Sequence, residues 1–306
     1  MNSDETRSRP RRVWVLAAVM MILSTVACGQ TTLENTLKQF SGDDARGYIQ
    51  PFADLFGANM NSGFYHSAAI PNTGFHIAFD IVAMGSLVGD EQKTYSANTP
   101  AGFTPSTFQT ATVFGGQGTL VKNSTDTVFQ YKGSDGIINT SIFPAAVPQL
   151  SIGTIFGTKA VIRYIKTPKL GSDQIPEVTL FGIGAQHSVS RYIPRLPLDL
   201  SAGVYYSSFK VGEIMDFTGL SIGAQASKSF AIATLYGGLA WEKTSMTLEY
   251  RTTDPLADPQ VKQDLDGKNS FRFTLGAGLK FGFFSIFADA NFGSITIFSG
   301  GIGFGN

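Results

Sequence analysis

Apolar and polar residues alternate with a period of two over much of the chain, and few folds accommodate that pattern. The alternation is clearest in the segments 74–81, 198–204, 220–227, 271–280 and 284–292. Because successive side chains of a β-strand point to opposite faces, each segment predicts a strand with one apolar and one polar face. The polar faces are rich in Gly and Ser rather than Lys and Glu, which is typical of a narrow lumen and not of an open solvent face.

The composition agrees with strands that face lipid on one side only. Charged residues make up 15% of the chain, whereas globular domains contain about a quarter. The mean hydropathy of +0.07 is too low for a bundle of membrane helices, each of which needs roughly 20 consecutive apolar residues. In a transmembrane β-barrel only alternate residues face lipid, so the mean hydropathy stays near zero.

The lengths of the connections between predicted strands indicate a barrel with two different ends. We predict ten strands, near 74–88, 149–156, 158–167, 177–190, 198–210, 217–228, 230–243, 269–280, 283–293 and 295–305. The turns at Gly157, Ser229 and 281–282 are short, whereas the connections 89–148 and 244–268 are long. This asymmetry is typical of an antiparallel barrel in the outer membrane of a Gram-negative bacterium, with both chain ends in the periplasm.

The long connection 89–148 leaves the strand count open. A structureless loop of that length is uncommon, so we expect it to contain structure of its own. Strands near 104–114 and 126–132 would raise the count to 12–14 if they joined the wall. The sequence thus predicts an all-β fold, an antiparallel transmembrane β-barrel of about 10 strands (alternatively 12–14), formed by residues 74–306.

The first 29 residues are predicted to be an export signal and not part of the fold. Four arginines precede the apolar stretch 13–27, which is too short to span a membrane comfortably and has the length of a signal-peptide core. Cleavage after Gly29 would remove the only cysteine, Cys28. The residues 25–28 also resemble a lipobox, which would make Cys28 a lipidated N-terminus.

Residues 30–73 have a helical pattern and precede the predicted barrel. Leu33, Leu37 and Phe40 fall on one face of a first short helix. A second helix is predicted after the break at 41–44, with Pro51 close to its first turn. We expect this segment to be either a plug inside the barrel lumen or a periplasmic lid.

The last predicted strand carries an alternating pattern almost to its end, through Phe298, Ile302 and Phe304. A final amphipathic strand with an aromatic residue near the C-terminus resembles the signal that the barrel-assembly machinery reads in outer-membrane barrels. The similarity implies two partners, the assembly machinery and outer-membrane lipid.

Three further stretches resemble a domain-of-unknown-function family of exported bacterial proteins. They are PQLSIGT at 148–154, LYGGLAWE at 235–242 and the C-terminal stretch 286–305. The resemblance covers most of the chain from about Leu33 and implies an outer-membrane barrel, but it brings no catalytic or binding residues. More loosely, a helical segment ahead of a barrel is similar to channels of the long-chain fatty-acid type, which implies small apolar solutes and a plugged lumen.

Few residues of the sequence carry recognisable chemistry. Five polar residues are expected to point into the lumen, where they would form ion pairs or select solutes: His76, Asp80, Arg272, Lys280 and Asp289. No spacing of His or carboxylate residues predicts a metal site, and no cofactor is expected. The neighbours His187 and Ser188 invite comparison with lipid hydrolases, but no Asp or Asn stands at a diagnostic spacing, so we predict no catalytic residue and no enzymatic activity.

Two functions fit these predictions. One is a passive channel for small apolar solutes, gated by residues 31–66. The other is a structural barrel with a filled lumen, because roughly ten strands enclose a space that side chains can largely fill. A surface-interaction or lipid-anchored β-protein is an alternative, and an outer-membrane lipid hydrolase is a further one. A nucleic-acid partner is not expected, because basic and acidic residues are balanced at 23 each and no basic patch results.

Overall fold

A computed structural model shows a closed antiparallel β-barrel with a helix inside it, and it describes residues 42–71, 73–167, 177–251 and 260–305. The predicted signal segment, Cys28 and the first predicted helix lie outside the described residues. In chain order the elements are α1 (Gly42–Met60), β1 (His76–Leu87), β2 (Thr94–Asn98), β3 (Thr107–Ala111), β4 (Leu120–Lys122), β5 (Gln130–Lys132), β6 (Ile142–Ile155), β7 (Thr158–Thr167), β8 (Val178–Ser188), β9 (Asp199–Val211), β10 (Met215–Phe230), β11 (Ala233–Arg251), β12 (Gln260–Asp266), β13 (Phe271–Phe281), β14 (Phe284–Phe292) and β15 (Ile297–Gly305).

Ten of the described strands form the barrel wall, which confirms the predicted count. The order around the wall is β1, β6, β7, β8, β9, β10, β11, β13, β14 and β15, and every neighbouring pair is antiparallel. The wall closes where β1 pairs with β15, from Ala78 opposite Gly305 to Ser86 opposite Ile297. The remaining strands do not raise the count to 12–14, because β2–β3 and β4–β5 form two separate hairpins and β12 only extends β11.

The first long connection is shorter than predicted, because β6 begins at Ile142 and not near residue 149. The extra length of β6 contains Pro144 and Pro148, which lie opposite Gly85 and Ile81 of β1. Proline has no amide proton to donate to a strand ladder and is uncommon inside sheets. The segment therefore looked like a loop in the sequence, although its pairing with β1 holds it in the wall.

The two ends of the barrel differ, and we name them by their connections. The short-turn end has the turns 156–157, 231–232 and 282–283, and the long-loop end has the connections 88–141 and 252–270. Three connections depart from this rule, the ten-residue one at 189–198 on the short-turn end and the short ones at 212–214 and 293–296 on the long-loop end. The first residue of β1 and the last residue of β15 both lie at the short-turn end, as an even number of strands requires.

Helix α1 lies inside the barrel, which makes it a plug and not a lid. It runs unbroken from Gly42 to Met60, so Pro51 sits in its interior and not in a first turn as predicted. An interior proline costs about 3 kcal/mol, but burying each large apolar side chain contributes roughly 1.5–3 kcal/mol. Tyr48, Ile49 and Leu55 are fully buried in the lumen, so packing offsets the proline. Within the described residues, no helix is both long and apolar enough to cross a membrane.

The outer surface of the wall is apolar and carries aromatic residues at both ends. Those near the long-loop end are Tyr164, Phe181, Trp241, Phe271, Phe292 and Phe298, and those near the short-turn end are Phe79, Phe230, Phe281, Phe283 and Phe304. Exposed aliphatic residues lie between them, among them Ile183, Ile222, Leu239 and Leu275. Tyr250, near the end of β11, is an exception, because it is buried inside with 5% of its surface exposed.

Residues 88–141 fold into a cap over the long-loop end, in contact with α1. The Val113 amide donates to the Tyr48 carbonyl at 3.0 Å, and the amide of Asn98 donates to Asp44 Oδ1 at 3.0 Å. Hydrogen bonds from the Lys132 side chain and the Gly118 amide hold the pKa of the exposed Asp135 carboxyl below its usual value. The cap is thus an ordered element built on the outer end of the plug.

Candidate functional site

The lumen is the candidate functional site, because the polar faces of the strands meet there around α1 and the segment 61–71 that follows it. Inward-facing residues of the wall are mostly small or polar and buried, including Gln149, Ser207, Ser221 and Thr274. Each belongs to the polar half of an alternating strand. Polar side chains in a closed lumen need partners, and the plug supplies many of them.

Arg163 of β7 binds the C-terminal end of the plug. Its Nη1 donates to the Met60 carbonyl at 3.2 Å and its Nη2 to the Ser62 carbonyl at 2.8 Å. Its Nε donates to Gln149 Oε1 at 2.9 Å, and the guanidinium lies 3.6 Å from the ring centre of Phe64. The last carbonyls of a helix lack intrahelical partners and carry partial negative charge. A buried arginine is well suited to bind them, because its donors form a rigid planar fork.

Arg272 of β13 binds the same end of the plug from another part of the wall. Its Nη2 donates to the Ala58 carbonyl at 2.7 Å and to Glu242 Oε2 at 3.0 Å. Its Nε lies 2.8 Å from Glu242 Oε1, an ion-pair contact that is not aligned as a hydrogen bond. Asn269 donates to the same carboxylate at 2.7 Å. Arg272 and Glu242 are 5% and 2% exposed, so the charges compensate each other in a closed site.

Aromatic rings pack the half of the plug nearer the long-loop end. The ring centre of Phe56 lies 4.8 Å from that of Phe209 and 5.0 Å from that of Phe217, both on the wall. Phe52 packs on Phe143 of β6, with ring centres 5.4 Å apart. Such pairs contribute about 0.5–1.5 kcal/mol beyond the area that they bury. The helix therefore contacts several strands at once.

The extended segment 61–71 continues from the C-terminal end of α1 through the lumen. The Phe64 ring stacks on Tyr205 with ring centres 4.7 Å apart. Gln186 Nε2 donates to the Ser67 carbonyl at 2.9 Å, and the Ala68 amide donates to Ser227 Oγ at 3.0 Å. The cavity beside this segment at mid-lumen measures about 10 Å³, which is roughly room for one water molecule. Within the described residues the lumen is closed at this level.

The five sequence-predicted lumen residues fall into two groups. Arg272 and Asp289 lie deep in the barrel; the carboxylate of Asp289 accepts hydrogen bonds from Tyr236 at 2.9 Å and from Asn291 at 2.5 Å. His76, Asp80 and Lys280 line a separate cavity at the short-turn end. Asp80 is 1% exposed, and its Oδ2 lies 3.9 Å from Nε2 of His66.

Sequence reasoning missed two of the residues that hold the plug, Arg163 and Glu242. Arg163 lies inside a predicted strand in phase with the buried Val161, so the alternation would have placed it inward. Its role was not readable, because its partners Met60 and Ser62 lie about a hundred residues away along the chain. The role of Glu242 could not be predicted either, since only the folded wall brings Glu242 close to Arg272.

His187 and Ser188 do not form a catalytic pair in the structure. They are adjacent in β8 and point to opposite faces of the wall. His187 hydrogen-bonds with Thr158 at 2.8 Å and with Tyr192 at 2.9 Å, while Ser188 faces inward and is buried. Among the described residues, no three His, Cys, Asp or Glu side chains stand close enough to hold a metal ion.

Comparison with known proteins assigns the chain to a family. Residues 11–306 match a family of unknown function (DUF6588), so the chain belongs to that family. No curated protein matches the sequence. The translocator domain of autotransporter NalP from Neisseria meningitidis is 14% identical, with a TM-score of 0.32, over 85% of this chain and 99% of that one. A mutant Rh. blastica porin is 10% identical, with a TM-score of 0.13, over 75% of this chain and 100% of that one. Both scores are low, and the evidence for the barrel is this chain's own strand pairing.

Proposed function

We propose that this member of the family is an outer-membrane barrel closed by its own N-terminal helix, and that it acts as a structural, surface-presenting protein and not as a passive pore. One observation carries the proposal. Arg163 and Arg272, from separate strands of the wall, bind the carbonyls of Ala58, Met60 and Ser62 where the plug crosses the lumen. Each hydrogen bond to a charged group contributes about 1.5–3 kcal/mol, so the plug is a fixed part of the barrel.

The outer surface supports a location in a membrane. Phe271 and Phe281 stand ten residues apart at the two ends of β13, which is roughly 33 Å along a strand. At a tilt of about 40° this becomes roughly 25 Å along the barrel axis, the height of the apolar band of an outer-membrane barrel. We infer that lipid covers this band, that the long-loop end faces outward and that the short-turn end faces the periplasm.

The cap is the surface that such a barrel would present outside the cell. Its hairpins β2–β3 and β4–β5 rest on the outer end of α1 and are not part of the wall. The apolar-solute channel of the sequence analysis is less well supported, since a cavity of about 10 Å³ at mid-lumen admits no such solute. Enzymatic activity is not part of the proposal, because the His187–Ser188 pair points to opposite faces.

A disulfide that locks the plug to the wall separates a closed barrel from a gated channel. A Cβ built on Gly57 lies 3.1 Å from the Cβ of Thr244, and a small shift brings this to the usual disulfide separation of about 3.8 Å. The variant Gly57→Cys/Thr244→Cys would be made together with Cys28→Ser, so that no other thiol is present. Its conductance is then recorded in planar bilayers under oxidising and reducing conditions.

We expect silent traces in both states and in the unmodified chain, because the plug needs no lock to stay in place. The single variant Gly57→Cys serves as the control for any effect of the side chain alone. Stepwise openings in the reduced double variant that vanish on oxidation would establish a gated channel and overturn the proposal. Heat-modifiable migration in detergent gels, measured on each variant, verifies that the barrel is folded.

A further inference from the structure

A cavity of about 350 Å³ lies between the plug and the wall at the short-turn end, and we name it the short-turn vestibule. Residues 66–71 form its floor, and inward residues at the ends of the strands form its sides. Its volume is within the range of small-molecule sites, roughly 300–1,000 Å³. The packed plug closes it toward the long-loop end, so a molecule enters and leaves by the same mouth.

Two lysines line this cavity. Lys159 stands at the start of β7 and Lys280 at the end of β13, and both line the cavity. Among the described residues, neither ammonium group makes a salt bridge within 4 Å. Lys159 is in phase with the inward Val161 and Arg163 of its strand. Lys159 is half-buried and Lys280 is exposed, so the cavity offers an entering anion two ammonium groups that form no salt bridge among the described residues.

A buried carboxylate completes the charge of the vestibule. Asp80 is 1% exposed, and neither of its oxygens has a hydrogen-bond partner among the described residues. His66, on the floor, is stacked on Phe287 with ring centres 4.4 Å apart. Among the described lining residues, two ammonium groups stand against one carboxylate, and this excess of positive charge attracts an anion. Ile70 and Pro71 add an apolar surface on the floor.

We propose that the short-turn vestibule binds a small organic anion, with its charged group between Lys159 and Lys280 and its apolar part against Ile70 and Pro71. The site is independent of the proposed closure of the barrel, since it opens to one side only. Binding would not require movement of the plug. The periplasmic face of the barrel would then exist in a ligand-free and a ligand-bound form.

Isothermal titration of the full chain in nanodiscs of zwitterionic phosphatidylcholine tests the proposal, with empty nanodiscs as the blank. The probes are hexane-1-sulfonate as the anion, hexan-1-amine as its cationic counterpart and inorganic sulfate as the anion without an apolar part. We expect one saturable site for hexane-1-sulfonate, with weaker binding of sulfate and none of the amine. Lys280→Ala should weaken binding about tenfold, because a hydrogen bond to a charged group is lost.

Two further variants test whether the charge of the cavity determines how tightly the anion binds. Asp80→Asn should strengthen the binding of hexane-1-sulfonate, because the variant removes a negative charge from the cavity. Lys228→Ala is the matched control, since Lys228 lies at the same end of the barrel on its exposed outer face, and it should leave binding unchanged. The proposal is overturned if no saturable binding occurs, if the amine binds equally well, or if Lys280→Ala binds like the unmodified chain.

Discussion

At the scale of single residues, the buried charges of the lumen act on the plug more than on each other. Arg272 and Glu242 form an ion pair that is almost fully buried, and Arg272 also binds the Ala58 carbonyl. Removing two charges from water costs several kcal/mol per ion, so a buried pair contributes little net stability. What the pair adds is specificity, because a helix end placed elsewhere would leave both charges without their full set of partners.

Breaking the pair on one side should therefore be much more harmful than replacing both partners. We expect Arg272→Met to lower the free energy of unfolding by about 3–5 kcal/mol, because Glu242 stays buried without a counter-charge. The double variant Arg272→Met/Glu242→Leu should recover most of that loss. Urea unfolding in detergent, followed by Trp241 fluorescence, measures both. A double variant as unstable as the sum of the two single variants would contradict this account.

The inward residues were only partly predictable from the sequence, for a physical reason. Alternation assigns a side chain to a face of its strand, and for Arg272 and Asp289 that was sufficient to place them in the lumen. It does not say what a side chain meets there. The partners of Arg163 are carbonyls of the plug, and carbonyl positions leave no trace in the residue pattern.

At the scale of elements, α1 is stabilised by burial on nearly all sides and not by its own helical propensity. It contains Gly47, Pro51 and Gly57, which are all poor residues for a helix interior. At Gly57 a Cβ would lie 2.7 Å from Thr244 Oγ1, so the glycine permits close approach of helix and wall. The sequence predicted a second helix but not its length. The helix continues past Pro51 because packing in the lumen stabilises it there.

Truncating an aromatic anchor of the plug should loosen the helix and leave the wall intact. We expect Phe56→Ala to cost about 3–5 kcal/mol of plug docking, because a buried ring against Phe209 and Phe217 is lost. Limited proteolysis should then cleave within 42–60, while heat-modifiable migration of the barrel persists. Phe281→Ala, on the exposed outer face, is the control and should leave the plug protected. Simultaneous loss of the heat-modifiable band in Phe56→Ala would show that plug and wall form one cooperative unit.

At the scale of the whole molecule, the chain crosses the barrel before it builds the wall. Asp43, at the start of α1, is exposed at the long-loop end beside the cap, and Thr73 is exposed at the short-turn end just before β1. The described segment between them passes through the lumen. The long-loop end therefore carries both the cap and the beginning of the plug, and the short-turn end carries the start and end of the wall.

The direction in which the chain crosses the barrel predicts which positions a reagent can reach from outside a cell. In a Cys28→Ser background, Asp43→Cys should react with a membrane-impermeant maleimide on intact cells, and Thr73→Cys should react only after the outer membrane is permeabilised. Labelling is read from the mass of the purified protein. The reverse pattern would mean that the barrel sits in the opposite direction, with the cap in the periplasm.

The architecture of the whole molecule was the part most accessible from the sequence. Alternation and connection lengths were sufficient for an antiparallel barrel of ten strands, because lipid on one side and a narrow lumen on the other impose a period of two. Whether the N-terminal segment is a plug or a lid was not decidable in advance. That choice depends on contacts such as Phe56–Phe217 and Arg163–Met60, which exist only once the wall is closed.

The seam between β1 and β15 has a consequence for the order of assembly. Nine residue pairs join the first strand of the wall to the last, and α1 is tied to β1 by residues 61–75 alone. A helix with its side chains is about 10 Å or more across, and the cap covers one end of the lumen. If the helix is inside before the seam forms, a single event completes the wall and encloses the plug.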